Sequence, residues 1–302
     1  MALIFVIGVE TMELVIATRG SKLALWQAEW VKKRLEEMGH SVKLKIVKTT
    51  GDKILDKPLA EIGGKGLFIK EVEEALLRGD AQIAVHSLKD FPVDYDEENF
   101  QLTAVPVRGA VEDAFLSENF ENLAELPMNA VIGTSSLRRA MQLKAFREDF
   151  IIEPLRGNID TRIKKLKSGK FDAIILAHAG IKRLNLLKAV KYVEVIDPDI
   201  IVPAMGQGAL GIETTKDPKV IEVVKKLNDL RSWIEVSIER DFVKTLNLGC
   251  HAPVGVNAKI LIDDSIKIRG ALLKGDKLVK KEVVVPFDEW EFAGREFAEE
   301  FK

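Results

Sequence analysis

The sequence predicts an α/β protein: two successive strand–helix units followed by a smaller carboxyl-terminal α+β unit with a three-stranded antiparallel sheet. Three observations carry that reading. From Leu14 to Leu176 short apolar strands alternate with segments whose apolar residues recur at helical spacing. A glycine-rich return, Pro203 to Glu213, follows. Last come three alternating segments, Val254 to Leu261, Ile266 to Leu273 and Leu278 to Val285, separated by the turn pairs Asp263-Asp264 and Gly275-Asp276.

Leu14 to Ala17 is a strand running into Thr18-Arg19-Gly20-Ser21, after which Leu23, Trp26, Trp30, Val31, Leu35 and Met38 share a helix face. Ser21 is the expected N-cap and Gly39 the expected stop. Val42 to Val47 then alternates, so strand, helix and strand form a βαβ unit with parallel pairing. Arg19 and Ser21 fall at its strand-to-helix edge, where open α/β sheets bind ligands. Gly63-Gly64-Lys65-Gly66 reads as a loop whose only long side chain is Lys65, a candidate lid, followed by a helix from Leu67 to Leu77. The Gly-x-x-x-x-Gly-Lys-Ser/Thr pattern is missing, which argues against a nucleotide-phosphate loop. Ile83 to Val85 is a buried strand, and His86-Ser87-Leu88-Lys89-Asp90-Phe91-Pro92 leaves its carboxyl end, bringing Asp90 to the same sheet edge as Arg19. A turn residue before Phe-Pro is the plainer account of Asp90.

The second unit begins at Val131 to Gly133, turns through Thr134-Ser135-Ser136-Leu137-Arg138-Arg139 and enters a helix ending at Phe146. Hydroxyls, free amides and two arginines at a helix start suit an anion. Ile151 to Leu155 ends in Arg156-Gly157-Asn158-Ile159-Asp160-Thr161-Arg162, and Ala173 to Leu176 leads to a short helix carrying Arg183. Six of the fourteen arginines, Arg19, Arg138, Arg139, Arg156, Arg162 and Arg183, thus stand at or near turns on one edge of two sheets. A solvated helix face accounts for any one of them. Six together favour carboxylate or phosphate recognition, for which the planar guanidinium fork is suited. The glycine-rich return is an expected hinge, and helical stretches Pro218 to Leu230 and Trp233 to Leu246 deliver the chain to Leu248-Gly249-Cys250-His251-Ala252-Pro253. A closing helix is expected from Asp288.

Cys250 is the only cysteine of 302 residues, which excludes an internal disulfide and a zinc or iron–sulfur site of ordinary spacing. An inert buried residue, a nucleophile and a covalent anchor remain; a turn between Gly249 and Pro253 favours the latter two. With 45 basic against 47 acidic residues and a net charge of -2, no global field draws the chain to nucleic acid or a membrane. Ala2 to Val9 is apolar but falls short of the ~18 residues of a membrane span and lacks a basic flank. Met12 is an alternative start, and with no signal peptide and one cysteine the expected location is cytoplasmic.

Taken together, these turns resemble those of the porphobilinogen deaminase (hydroxymethylbilane synthase) family. The resemblance spans Leu14 to about Val285. It rests on Ala17-Thr18-Arg19-Gly20-Ser21 with Leu25-Trp26-Gln27, Gly64-Lys65-Gly66-Leu67-Phe68, Val85-His86-Ser87-Leu88-Lys89-Asp90, Gly133-Thr134-Ser135-Ser136-Leu137-Arg138-Arg139, Leu155-Arg156-Gly157-Asn158 with Thr161-Arg162, Gly206-Gln207-Gly208-Ala209-Leu210, and Gly249-Cys250. It implies two α/β domains of periplasmic-binding-protein type flanking a cleft and a third, cofactor-anchoring α+β domain, with expected boundaries at 12–107 plus 205–228, 108–204 and 229–302. It also implies a monomeric, cytoplasmic transferase of tetrapyrrole (heme, porphyrin) biosynthesis. Such an enzyme joins four porphobilinogen molecules into hydroxymethylbilane, releasing ammonia, on a dipyrromethane cofactor held by a thioether to Cys250.

Carried over residue by residue, the resemblance makes Asp90 catalytic. Ser87, Lys89, Asp90, Thr134, Ser136, Arg138, Arg139 and Arg162 would hold the cofactor, and Arg19, Ser21, Gln27, Arg156 and Arg183 would meet substrate; no metal, nucleic acid or membrane is implied. The residue types suit that chemistry. Each pyrrole carries two carboxylates, so the growing chain is a polyanion that arginines neutralise. A carboxylate beside a pyrrole can stabilise the cation left when ammonia departs. Leu248, where the family usually has glycine, and Arg108-Gly109-Ala110-Val111-Glu112, where an acidic, proline-containing segment is commoner, depart from the pattern and bear on loop shape. The rival reading is a non-enzymatic two-lobed binding protein for a small polycarboxylate anion, which needs no anchored thiol. A thiol redox enzyme, a third reading, would lack a resolving cysteine.

Overall fold

The amino-terminal strand–helix–strand unit folds as its spacing predicts. β1 (Glu13–Arg19) pairs in parallel with β2 (Ser41–Val47), and α1 (Lys22–Glu37) connects them. The hydroxyl of Ser21 accepts the Ala24 N–H at 3.3 Å, and Gly39 ends the helix at φ +92°. This computed structural model describes residues 11–49, 69–249 and 252–302. Lys65 and Cys250, the candidate lid residue and the candidate anchor, lie outside the described residues, as does the start of the helix expected from Leu67.

α2 (Lys70–Leu77) precedes β3 (Ile83–Ser87), whose carboxyl end passes into a tight 3-10 turn over Leu88–Asp90. The first sheet has the order β2-β1-β3-β10-β4, with β4 (Phe100–Ala104) and β10 (Leu210–Thr215). β3 lies parallel to β1, whereas β10 returns from far along the chain and runs antiparallel to both β3 and β4. The second sheet, β7-β6-β8-β5-β9, is mixed in the same way. Its strands are β5 (Asp113–Ser117), β6 (Val131–Gly133), β7 (Ile151–Glu153), β8 (Ala173–Ala177) and β9 (Tyr192–Ile196). Its helices are α3 (Leu137–Phe146), α4 (Ile159–Lys167) and α5 (His178–Arg183).

Residues 105–111 and 203–209 cross between the sheets side by side. The Gly109 N–H donates to the Gly208 carbonyl at 3.1 Å, and a β-carbon on Gly208, at φ +85°, would stand 2.4 Å from the Ala110 carbonyl oxygen. Only glycine fits there.

α6 (Pro218–Lys225) packs on the first sheet, where Val220, Val223 and Val224 share a core with Leu14, Ile16 and Ile212. The third unit comprises α7 (Leu230–Thr245), β11 (Val254–Ile260), β12 (Ile266–Lys274), β13 (Lys277–Val285) and α8 (Trp290–Glu299). Its sheet is antiparallel in the expected order. The helix boundaries differ from expectation: α6 stops at Lys225 because Asp229 caps α7, accepting the Ser232 N–H at 2.8 Å, and α8 starts after a 3-10 turn over Phe287–Glu289. Phe242 of α7 packs against Phe297 and Phe301 with ring centroids 5.5 and 5.3 Å away. Arg108 ties this unit to the crossings, donating to both carboxylate oxygens of buried Glu239 at 2.8 and 2.9 Å. Glu239 also accepts the Gly206 N–H at 2.7 Å and the Ala258 N–H at 2.9 Å. No helix among the described residues is long and apolar enough to cross a membrane.

Candidate active site

The strand ends of both sheets border one cleft of about 660 Å³. Arg19, Lys22, Lys48 and Lys89 line it from the first sheet, and Arg139, Arg156, Arg162 and Arg183 from the second. Asp90 and Asp160 are its only carboxylates among the described residues. A side pocket of about 90 Å³ shares Arg19, Ser21, Ser87 and Asp90 with the cleft and adds Gln27 and His86. Thr134, Ser136 and Arg138 belong to neither lining.

Local structure explains how Asp90 reaches the cleft. β3 ends where the Leu88 N–H donates to the Ala209 carbonyl at 3.1 Å, and Leu88 packs so closely on Gly211 that a β-carbon there would stand 2.7 Å from it. The buried Leu88 turns its successors outward, and Asp90 is exposed. Gln27, on the buried face of α1, donates from Nε2 to the Ser87 hydroxyl at 2.8 Å and so ties α1 to the end of β3.

The cations are crowded, and their electrostatics follow. Desolvation pushes the Lys89 ammonium down to about 8, a fall that Asp90 opposes and Arg139 deepens. Desolvation, deepened by Arg139, lowers Arg162 to about 10, again against the pull of Asp90. Arg162 donates from Nε to the Gly157 carbonyl at 2.7 Å. Desolvation also lowers Arg183 to about 10; its guanidinium donates to the Gly208 carbonyl at 2.7 Å and lies 5.7 Å over the Trp26 ring. At the rim, Lys22 of α1 pairs with Asp160 of α4 at 2.7 Å, spanning the two sheets.

Arg138 stands one step back from the cleft. It donates to the Val202 carbonyl and to Asp113, each at 2.7 Å, while Arg139 reaches Asp113 through Nε at 3.1 Å and through a terminal nitrogen at 2.6 Å. Gln207 adds an amide donor to Asp113 at 3.0 Å. Burial alone would raise the Asp113 carboxyl, but the two guanidiniums hold it well below the usual carboxylate range. Sequence reasoning missed this residue, since one Asp ahead of Ala-Phe-Leu reads as a strand terminus. His86, quoted there without a role, also has a buried partner: Nε2 lies 3.0 Å from Glu213 Oε2, and its ring centroid is 5.1 Å from that of Phe91.

Eight cations against two carboxylates, in a volume within the roughly 300–1,000 Å³ that holds drug-sized molecules, fit a linear polycarboxylate. A pair of linked pyrroles with four carboxylates is such a group. Among the described neighbours of Cys250, the Ala252 N–H donates to the Gly249 carbonyl at 3.0 Å, and Leu248 and Ala252 pack on the core of the third unit.

Comparison with known proteins points the same way. Residues 14–223 match the family model described as porphobilinogen deaminase, dipyromethane cofactor binding domain, and residues 233–302 match porphobilinogen deaminase, C-terminal domain. The porphobilinogen deaminase of a Nitratiruptor species is 54% identical over 290 residues, covering 95% of this chain and 93% of that protein. That of Sulfurimonas denitrificans is 53% identical over 293 residues, covering 96% and 93%. Among solved structures, the probable amino-acid ABC transporter extracellular-binding protein ytmK from Bacillus subtilis aligns with 72% of this chain and 90% of its own. Its 12% identity and TM-score of 0.45 make that likeness too slight to build on.

Proposed function

The chain belongs to the porphobilinogen deaminase family, and from that premise we infer how its residues divide the work. The enzyme is a transferase of tetrapyrrole biosynthesis that joins four porphobilinogen molecules into hydroxymethylbilane with release of ammonia, and its cofactor is a dipyrromethane. Relatives so close over nearly the whole chain do not favour a non-enzymatic anion-binding protein.

The observation that carries the assignment of roles is the cleft itself, in which the exposed Asp90 carboxylate shares a wall of arginines and lysines. When bound through a thioether to Cys250, the dipyrromethane supplies the pyrrole end from which the chain grows. Arg139, Arg162 and Lys89 neutralise its carboxylates, with Ser87, Thr134, Ser136 and Arg138 completing that set. Arg138 acts alongside Arg139 because both share Asp113. Arg19, Ser21, Gln27, Arg156 and Arg183 hold incoming porphobilinogen, and Lys65 belongs to the lid. Asp90 stabilises the positive charge that the substrate ring acquires as its ammonia departs, a preorganised electrostatic role.

The return of β10 into the first sheet supports a discontinuous first domain, 12–107 plus 205–228, beside 108–204 and 229–302. The protein is assigned to the cytoplasm as a monomer. Denaturing mass spectrometry after expression in a porphobilinogen-making host tests the anchor. Excess mass equal to two linked pyrroles is expected on the peptide holding Cys250, and a bare polypeptide mass would refute it.

A further inference from the structure

His86 and Glu213 form a buried pair beside the proposed site, and the roles above leave both unused. His86, on β3, lies opposite Gly211 of β10, and its Nε2 contacts Glu213 Oε2 at 3.0 Å with side-chain exposures of 8% and 0%. An ionised carboxylate can only accept, so the contact places the ring proton on Nε2 and leaves the lone pair on Nδ1. Among the described residues Nδ1 has no hydrogen-bond partner. The ring lines the 90 Å³ side pocket together with Asp90, Ser87 and Gln27. The second oxygen of Glu213, Oε1, is buried without a partner among the described residues. A lone buried carboxylate oxygen is costly.

A buried carboxylate behind an imidazole, one ring nitrogen held and the other without a partner among the described residues in a ring that lines the pocket of Asp90, is the arrangement of a general base whose imidazolium is stabilised from the rear. We propose that His86 is a general base of this reaction, accepting at Nδ1 the proton that each addition liberates, and that Glu213 is the carboxylate that fixes its tautomer and stabilises its charged form. The proposal rests on the transferase reading above.

The step balances without an oxidant or reductant. The aminomethyl group of porphobilinogen, protonated as an ammonium, loses its C–N bond, and the electron pair leaves with neutral ammonia. A carbon–carbon bond forms to the accepting pyrrole, and the proton displaced from that carbon passes to His86 and then to the released ammonia, which departs as ammonium. Other charged groups around the pair are Arg19 and Asp90 at the pocket and Glu73 on α2. The Glu73 carboxyl is pushed up to about 7 by desolvation and by the charge of Glu213, with Asp96 adding to the rise and His86 opposing it.

His86→Gln keeps a donor for Glu213 but has no basic nitrogen. Wild type and variant, each with cofactor content measured by intact mass, are compared on porphobilinogen deuterated at its free ring carbon. The variant should load cofactor, lose about 100-fold in turnover and show a larger isotope effect than wild type. In Glu213→Gln, loaded with cofactor to the same extent, turnover should fall, the isotope effect should grow as it does in His86→Gln, and nitrogen NMR should show His86 losing its single Nε2–H tautomer. A loaded His86→Gln enzyme within about threefold of wild type, with an unchanged isotope effect, overturns the proposal. So does a loaded Glu213→Gln enzyme with unchanged turnover, isotope effect and His86 tautomer, which decides the question if His86→Gln does not fold. Wild type unable to consume porphobilinogen would overturn the transferase reading instead.

Discussion

Asp113→Asn removes the carboxylate that two buried guanidiniums share. The native carboxylate accepts from Arg138 at 2.7 Å, from Arg139 at 3.1 and 2.6 Å and from Gln207 at 3.0 Å, with no solvent exposure. Asparagine preserves the volume and one acceptor, but its NH₂ group must then meet a donor of Arg138 or Arg139. Breaking a buried ion pair on one side costs about 3 to 5 kcal/mol, because the surviving charges remain desolvated. At about 2 to 4 °C per kcal/mol for folding units of this size, a cost near 3 kcal/mol lowers Tm by about 6 to 12 °C. Scanning calorimetry near neutral pH reads it directly. The folded carboxyl is held below its unfolded value, so its contribution is present above the ordinary carboxylate range and is lost as pH falls towards the folded value. The gap between wild type and variant should therefore hold from neutral pH to about 5 and narrow below about 4. A drop under about 2 °C at neutral pH would show that the guanidiniums find other partners.

Asp90→Asn should fold normally and lose about 100- to 1,000-fold in turnover, the usual worth of a preorganised electrostatic group, measured as porphobilinogen conversion by cofactor-loaded enzyme; retention of more than roughly a tenth moves the role elsewhere. Arg183→Leu should leave the holoenzyme intact yet stall elongation, with discrete enzyme-bound intermediates visible by native mass spectrometry; a cofactor-free product would contradict a substrate-handling role. Because desolvation lowers Lys89 to about 8, its charge is present below that pH and lost above it. Affinity for a linear polycarboxylate competitor should therefore weaken as pH rises through about 8, while Lys89→Arg stays flat to about pH 10, and identical profiles would remove Lys89 from the binding set.

Local signals in the sequence were read correctly because their causes are local. The Ser21 cap, the Gly39 stop and the strand ends carrying Arg19 and Asp90 each depend on a handful of neighbouring residues. β4, β5 and β9 escaped because five-residue strands leave little room for a period, and β5, buried throughout, shows no alternation at all. The arginine turns were legible, but what each arginine holds was not. Asp113 meets Arg138 and Arg139 only because β5 pairs beside β8, and Glu213 meets His86 across 127 residues only because β10 enters the first sheet. Charge partners set by strand order leave no trace in spacing.

The Lys22–Asp160 contact bears on how a site of fixed volume accepts a lengthening product. A cleft of about 660 Å³ suits a molecule of two rings better than one of six, so successive additions would need room beyond its present rim. The contact at that rim is solvent-exposed on the Lys22 side, and such a pair is worth at most about 1 kcal/mol and weakens with salt. Parting it would therefore cost a lengthening product little, whereas parting Arg108 from the buried Glu239 carboxylate would leave a charge desolvated and cost several times more.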